Sequence, residues 1–236
     1  MAVLTWDQTG DKIYETGDKK MVLYVMDTDG EYQAGVAWNG ITAVSSNDSG
    51  AEETALWADD IKYAVLRSAA EYGGTIEAYQ CPEEFYICDG SVIPTTGVVL
   101  GQQGRRGFGL SYVTTMGNDV MGTDYGYKIH LVYGCSASPS ERSYQTINDS
   151  PDAMTLSWEF TTTPVSVTGH PEYKPVSHII IDSTKFPPTV DGSTVTPNAK
   201  LKALEDLLYG TDTVGVTEGT DPTLPDPATV LSMMSS

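Results

Sequence analysis

Residues 125–164 alternate apolar and polar positions twice. In Tyr125-Gly-Tyr-Lys-Ile-His-Leu-Val-Tyr133, the side chains of Tyr125, Tyr127, Ile129, Leu131 and Tyr133 fall on one side. Gly126, Lys128, His130 and Val132 fall on the other. In the second run Met154, Leu156, Trp158 and Phe160 oppose Thr155, Ser157, Glu159 and Thr161. A period of two in stretches rich in aromatic and β-branched residues predicts strands. The two are expected to form an amphipathic pair, one side on a core and the other toward water or a polar channel.

Shorter runs extend the same reading. Residues 21–26 predict an apolar strand that enters an Asp27-Thr-Asp-Gly30 turn and returns through Tyr32 to Trp38. Strands are also expected at 41–44, 61–67, 75–80 and 176–181, and from Phe108 onward. Residues 1–20 read as a polar arm, 51–60 as a turn of helix, and Cys81-Pro-Glu-Glu-Phe85 as a short helix with Pro82 in its first turn. Connections are expected at 114–124 and at 134–153, the second long enough to have a function or to be mobile. Residues 196–210 predict one amphipathic helix. Thr196 or Asn198 caps it, Leu201, Leu204, Leu207 and Leu208 recur at helical spacing, and Gly210 stops it. The sum is eight or nine strands and one helix: a mainly β fold, a β-sandwich or partial barrel with one flanking α-helix. A single domain is expected over residues 1–211, arm 1–20 included. Residues 212–236 form a tail, rich in Asp, Thr, Gly and Pro where it leaves the helix, that stays loose or docks on a neighbour.

Charge narrows the function classes. Thirty-two acids against 13 bases give −19, and the first sixty residues hold twelve acids and three bases. Such a chain stays soluble and repels nucleic acid and anionic membrane. Three cysteines, Cys81, Cys88 and Cys135, form no Cys-x-x-Cys pair, which argues against a disulfide framework and for a reducing cytoplasm. No basic n-region precedes an apolar run at the N-terminus, and no run approaches eighteen apolar residues, so neither a secretion signal nor a membrane span is expected.

Candidate chemistry is sparse. The Asp27–Gly30 turn has its glycine in the fourth place, not the sixth that an EF-hand needs. Gly101-Gln-Gln-Gly104-Arg-Arg-Gly107-Phe-Gly109 lacks the Gly-Lys-Ser/Thr ending and leads into a strand, which disfavours a phosphate cradle. His130, His170 and His178 lie at no spacing that suggests a zinc site, and no nucleophile elbow is present. No catalytic, cofactor or metal residue is therefore nominated, and the chain is not expected to be an enzyme.

A resemblance supplies a function class. Trp6-Asp-Gln-Thr-Gly10, Tyr14-Glu-Thr-Gly17, Val22-Leu-Tyr24, Val36-Ala-Trp-Asn-Gly40-Ile-Thr-Ala-Val44, Thr75-Ile-Glu-Ala-Tyr79 and Cys88-Asp-Gly90 resemble phage major tail proteins. So do the run from Tyr125 to Gly134, Thr161-Thr-Thr-Pro-Val165 and the helix ending in Leu208-Tyr-Gly-Thr211. Met21 and Val25 depart from a glycine and a proline expected around Val22-Leu-Tyr24. These proteins are the tail tube subunits of long, non-contractile tails. The resemblance implies hexameric rings of this chain, stacked into a hollow tube that conducts DNA without sequence-specific binding. It also implies a tape-measure protein, a tail terminator and a distal tail protein as partners, assembly in the host cytoplasm and a place in the virion. An acidic β-sandwich module binding a glycan or calcium is the alternative. Connectors between rings are expected in the arm before Lys20, in residues 134–153 and beyond Thr211. The face carrying Lys128, His130 and Glu159 is expected to be a near-neutral inner wall.

Overall fold

The computed structural model describes residues 3–50, 52–139, 146, 153–191, 194–212 and 218–235. Eight strands form one antiparallel sheet. They are β1 (Ile13–Val25), β2 (Val36–Ala37), β3 (Ile41–Ser46), β4 (Gly73–Ala78), β5 (Phe108–Asn118), β6 (Gly122–Ala137), β7 (Leu156–Thr162) and β8 (His178–Asp182). Their order is β2-β1-β5-β6-β7-β4-β3, with β8 joined to β6. The sheet curls until β3 returns beside β1, where Val44 N donates to Asp18 Oδ2 at 3.1 Å.

β6 makes that curl possible by changing partners. Residues Lys128 to Val132 pair with β8, and Cys135 to Ala137 pair with β7. Gly134 sits at the change with φ +61, and its carbonyl accepts from Thr163 N at 2.9 Å. A Cβ there would lie 2.2 Å from the Thr163 carbonyl oxygen. Only glycine fits both the left-handed backbone and the close approach.

Both faces of the sheet are covered. Inside the curl, Trp38, Phe85 and Trp158 pack as a ring cluster with centroids 4.5 to 5.5 Å apart, joined by Phe108, Phe160 and Ile76. Phe85 arrives on a 3₁₀ turn, Glu83–Ile87. The outer face carries two helices, α1 (Ala199–Tyr209) and α2 (Pro227–Ser235). Leu204 and Leu208 of α1 and Val230 of α2 bury against Tyr24, Ile129, Leu131 and Tyr133. Asn198 caps α1 by accepting from Lys200 N at 3.0 Å. Asp226 caps α2 by accepting from Ala228 N and Thr229 N, with Pro227 at the first helical position.

The structure confirms the mainly β class and most strands, and it corrects several expectations. Two helices flank the sheet rather than one. Residues 218–235 are no loose tail: Leu224 and Val230 are core, Thr223 N donates to Leu207 O, and Tyr133 Oη donates to Pro225 O. Residues 13–20 of the expected arm are the exposed half of β1, paired with β5. Residues 53–58 are a strand, because they pair with 61–67 rather than coil on themselves. Most of 114–124 belongs to β5 and β6, closed by a tight turn in which Asn118 Oδ1 accepts from Val120 N and Met121 N. Residues 134–137 are strand, and 140–145 and 147–152 of the expected long loop lie outside the described residues.

The amphipathic pair also differs. β6 and β7 meet over three residue pairs only. His130 and Val132 are buried as well as Ile129 and Leu131, because this strand is sandwiched between the helices and the curl. Lys128 and His130 lie on the inner side with Val132, whereas alternation puts Glu159 opposite Trp158 and Phe160. The shared polar face of Lys128, His130 and Glu159 does not exist.

Candidate assembly interface

β3 and β4 are the two arms of one interrupted hairpin that leaves the sheet. Beyond Ser46 the arms stay paired through Ser49–Gly50 with Ala70–Glu71, and then Glu53–Ala58 pairs with Ile61–Arg67. Asp59 and Asp60 close the tip with φ of 50° and 63°, the doubly left-handed turn that suits the twist of a two-stranded ribbon. An Arg67–Glu53 ion pair and a bond from Glu52 N to Ser68 Oγ hold its base. The seven residues from Glu53 to Asp59 give the ribbon a length of roughly 23 Å, at about 3.3 Å per residue.

This ribbon exposes apolar side chains on both faces: Trp57 (69% exposed), Ile61 (62%), Tyr63 (73%) and Leu66 (57%), with Leu56 and Val65 less so. An isolated two-stranded ribbon is marginal in water, and a contiguous apolar surface of this kind marks an interaction site. A second hairpin, Val92–Thr95 with Val98–Leu100, exposes Val98, Val99 and Leu100. The arm leading to β1 exposes Val3, Leu4 and Trp6. The chain thus combines a closed core with an apolar surface left open to water.

Sequence alternation finds the ribbon's second strand, 61–67, but not its partner 53–58, and neither face of the pair is polar throughout. The available signal is the Asp59-Asp60 pair between two β-prone runs of six and seven residues. Of the three connector segments expected, residues 3–12 remain unpaired with the sheet, while the third is anchored by the buried Leu224, Pro227 and Val230.

The fold brings together two of the histidines. His130 Nδ1 lies 3.1 Å from His178 Nε2, and His130 Nε2 lies 3.0 Å from Thr114 Oγ1. The His130 ring stacks on Tyr112 at 4.6 Å, and Tyr72 packs on His178 at 4.5 Å. The Tyr72 hydroxyl is buried near that of Tyr112 but outside hydrogen-bond geometry. Burial, and then the neighbouring His178, pushes His130 down to about 4. Burial also lowers His178, partly opposed by Asp48. These are neutral imidazoles that stitch β5, β6 and β8. Among the described residues no group of three or more His, Cys, Asp and Glu is placed to hold a metal ion. His170 pairs instead with Glu172 in an exposed turn. Cys135 is buried near Cys88 with its thiol held well above its ordinary value, and none of the three cysteines forms a disulfide. Among the described residues no helix is long and apolar enough to cross a membrane.

No protein-family model matches the chain, and no curated protein matches it.

Proposed function

We propose that this chain is a tail tube subunit of a long, non-contractile phage tail. In this reading six copies close into a ring, and stacked rings enclose a lumen through which DNA passes from capsid to host. The ordered run of motifs from Trp6 to Thr211 suggests the class. The observation that carries the reading is the ribbon from Glu53 to Arg67, apolar on both faces and uncovered by its own chain. A ribbon that is apolar on both faces offers two surfaces to cover, more than one small ligand needs, and a head-to-tail assembly covers such a surface on each copy. Burying Trp57, Ile61, Tyr63 and Leu66 would contribute on the order of 1.5–3 kcal/mol per side chain.

The remaining features fit the same role. The mainly β sheet with helices on its outer face is compatible with a wall subunit, although one flanking helix was expected and two are present among the described residues. The charge of −19 disfavours any grip on phosphate, because each lysine or arginine facing DNA would add a salt-dependent contact. A tape-measure protein inside the tube, and terminator and distal tail proteins at its ends, are the partners of this reading. Electron microscopy of the concentrated, purified chain is the test. Striated hollow tubes or six-membered rings are expected, and a chain that stays monomeric at every concentration and salt would overturn the reading.

A further inference from the structure

A cleft of about 550 Å³ opens between the β5–β6 turn, the segment after β8 and the start of α1. Met121, Tyr125, Phe186 and Pro187 give it apolar walls, and Lys19 and Asp124 are its two charged lining residues. Lys19 is exposed and makes no ion pair among the described residues. The N-terminal arm is rooted beside this cleft: Gly10 N donates to Asp119 Oδ1 at 2.9 Å, and Asn118 Nδ2 donates to Gly10 O at 3.2 Å. From that root a turn at Gln8 to Asp11, with Gly10 at φ +96, sends the arm outward. Val3, Leu4 and Trp6 are 87%, 74% and 73% exposed, so its own chain covers none of them.

We propose that the cleft receives the arm of a second copy, with the Trp6 indole between its apolar walls and the Asp7 carboxylate on Lys19. The chemistry of the two surfaces selects this occupant. One chain carries both an uncovered apolar segment with a carboxylate next to its tryptophan and an apolar-walled cleft whose lysine makes no ion pair among the described residues. Copies of so acidic a chain repel one another, so a contact between them must place one of the few cations against an acid. Trp6 is four residues from Gly10, a reach of at most roughly 13 Å. The donor copy must therefore sit with its own β5–β6 turn close to the acceptor's cleft, and the apolar Val120, Met121, Ile13 and Tyr14 line that approach. Such a contact is heterologous, one copy giving and the next receiving, and it propagates a ring or a stack. The inference rests on the reading that copies assemble, and it adds which segment donates and which cleft accepts.

The test is a directed cross-link between full-length chains carrying Cys81→Ser. One also carries Thr5→Cys in the arm, the other Thr123→Cys at the exposed cleft rim. Mixed and oxidised, they should form a disulfide-linked dimer, and adding Trp6→Ala to the arm chain should cut its yield at least tenfold. Lys19→Glu should weaken it, and Asp7→Lys on the donor should restore it. Rings or tubes in the microscope without this cross-link would overturn the docking and leave the tail-tube reading standing. A chain carrying both cysteines that closes only on itself at low concentration, with no mixed dimer, would overturn it in favour of an arm folded onto its own cleft. A mixed dimer from chains that never form rings or tubes would support the docking and overturn the tail-tube reading.

Discussion

The buried histidine pair makes acid the sharpest probe of the fold's stability. Its perturbation is a fall in pH from 7.5 to 5. His130 is lowered from its ordinary 6.5 to about 4 in the folded chain. Between those values the unfolded chain binds a proton that the folded chain refuses, so stability is full above about 6.5 and is lost as pH falls toward 4. At pH 5 the single-site linkage relation gives a loss of about 2 kcal/mol for His130 alone. His178 is lowered as well and adds to the loss. Glu15 and Lys128 act on His130 in opposite senses, and Asp48 raises His178, so none of them reverses the sign. Carboxylates with depressed values, Asp27, Asp226 and Glu172, lose their contributions only on further acidification, because their ordinary values are already near 4. Urea unfolding of the unassembled chain, followed by fluorescence of the buried Trp38 and Trp158, measures the effect directly. The variant His130→Gln, whose amide bears no proton in this range, should lose most of the difference between pH 7.5 and 5. A wild-type chain equally stable at both pH values, or a variant that retains the full loss, would refute the assignment to this pair.

Three further outcomes follow from the packing. Trp57→Ser should raise the concentration needed for assembly at least tenfold, equivalent to about 1.4 kcal/mol or more, while the melting temperature of the monomer stays unchanged; sedimentation against concentration, with calorimetry beside it, checks both halves. Gly134→Ala should cost about 1–3 kcal/mol from the left-handed backbone and more from the Thr163 clash, whereas Gly97→Ala, at φ +81 with nothing within 4 Å, should cost only the first part; their urea midpoints give the comparison. Removing residues 222–236 exposes the sites of Leu224 and Val230 and orphans the Tyr133 hydroxyl, at about 1.5–3 kcal/mol for each side chain. Against a total of about 5–15 kcal/mol, that loss should lower the urea midpoint sharply, as circular dichroism would show.

How much of this protein was legible in the chain varies by element. Strand identity was local: alternation in Tyr125 to Tyr133, the Asp27–Gly30 turn and the capped Leu201–Leu208 stripe each state their structure within a dozen residues. Those signals depend on dihedral preference and on the period of one burial face. α2 was legible only from its Asp226-Pro227 start, since its nine residues are too short for periodicity to mark. The interface was half legible. Trp57 and Tyr63 are visible as large apolar residues, but a sequence cannot say that neither side of their ribbon meets a core.

What the sequence determined by itself is the β class, the strongly acidic balance and the motif order from Trp6 to Thr211. Only the tertiary structure decided where polar residues go. A period of two marks two faces without saying what covers them, and β6 has helices on one side and its own curled sheet on the other. That cover turned an expected polar wall into core, separated Lys128 from Glu159, and set His130 against His178, two residues 48 apart in the chain and 3.1 Å apart in space. Such pairings depend on register between strands, which is set by contacts that no single stretch of sequence contains.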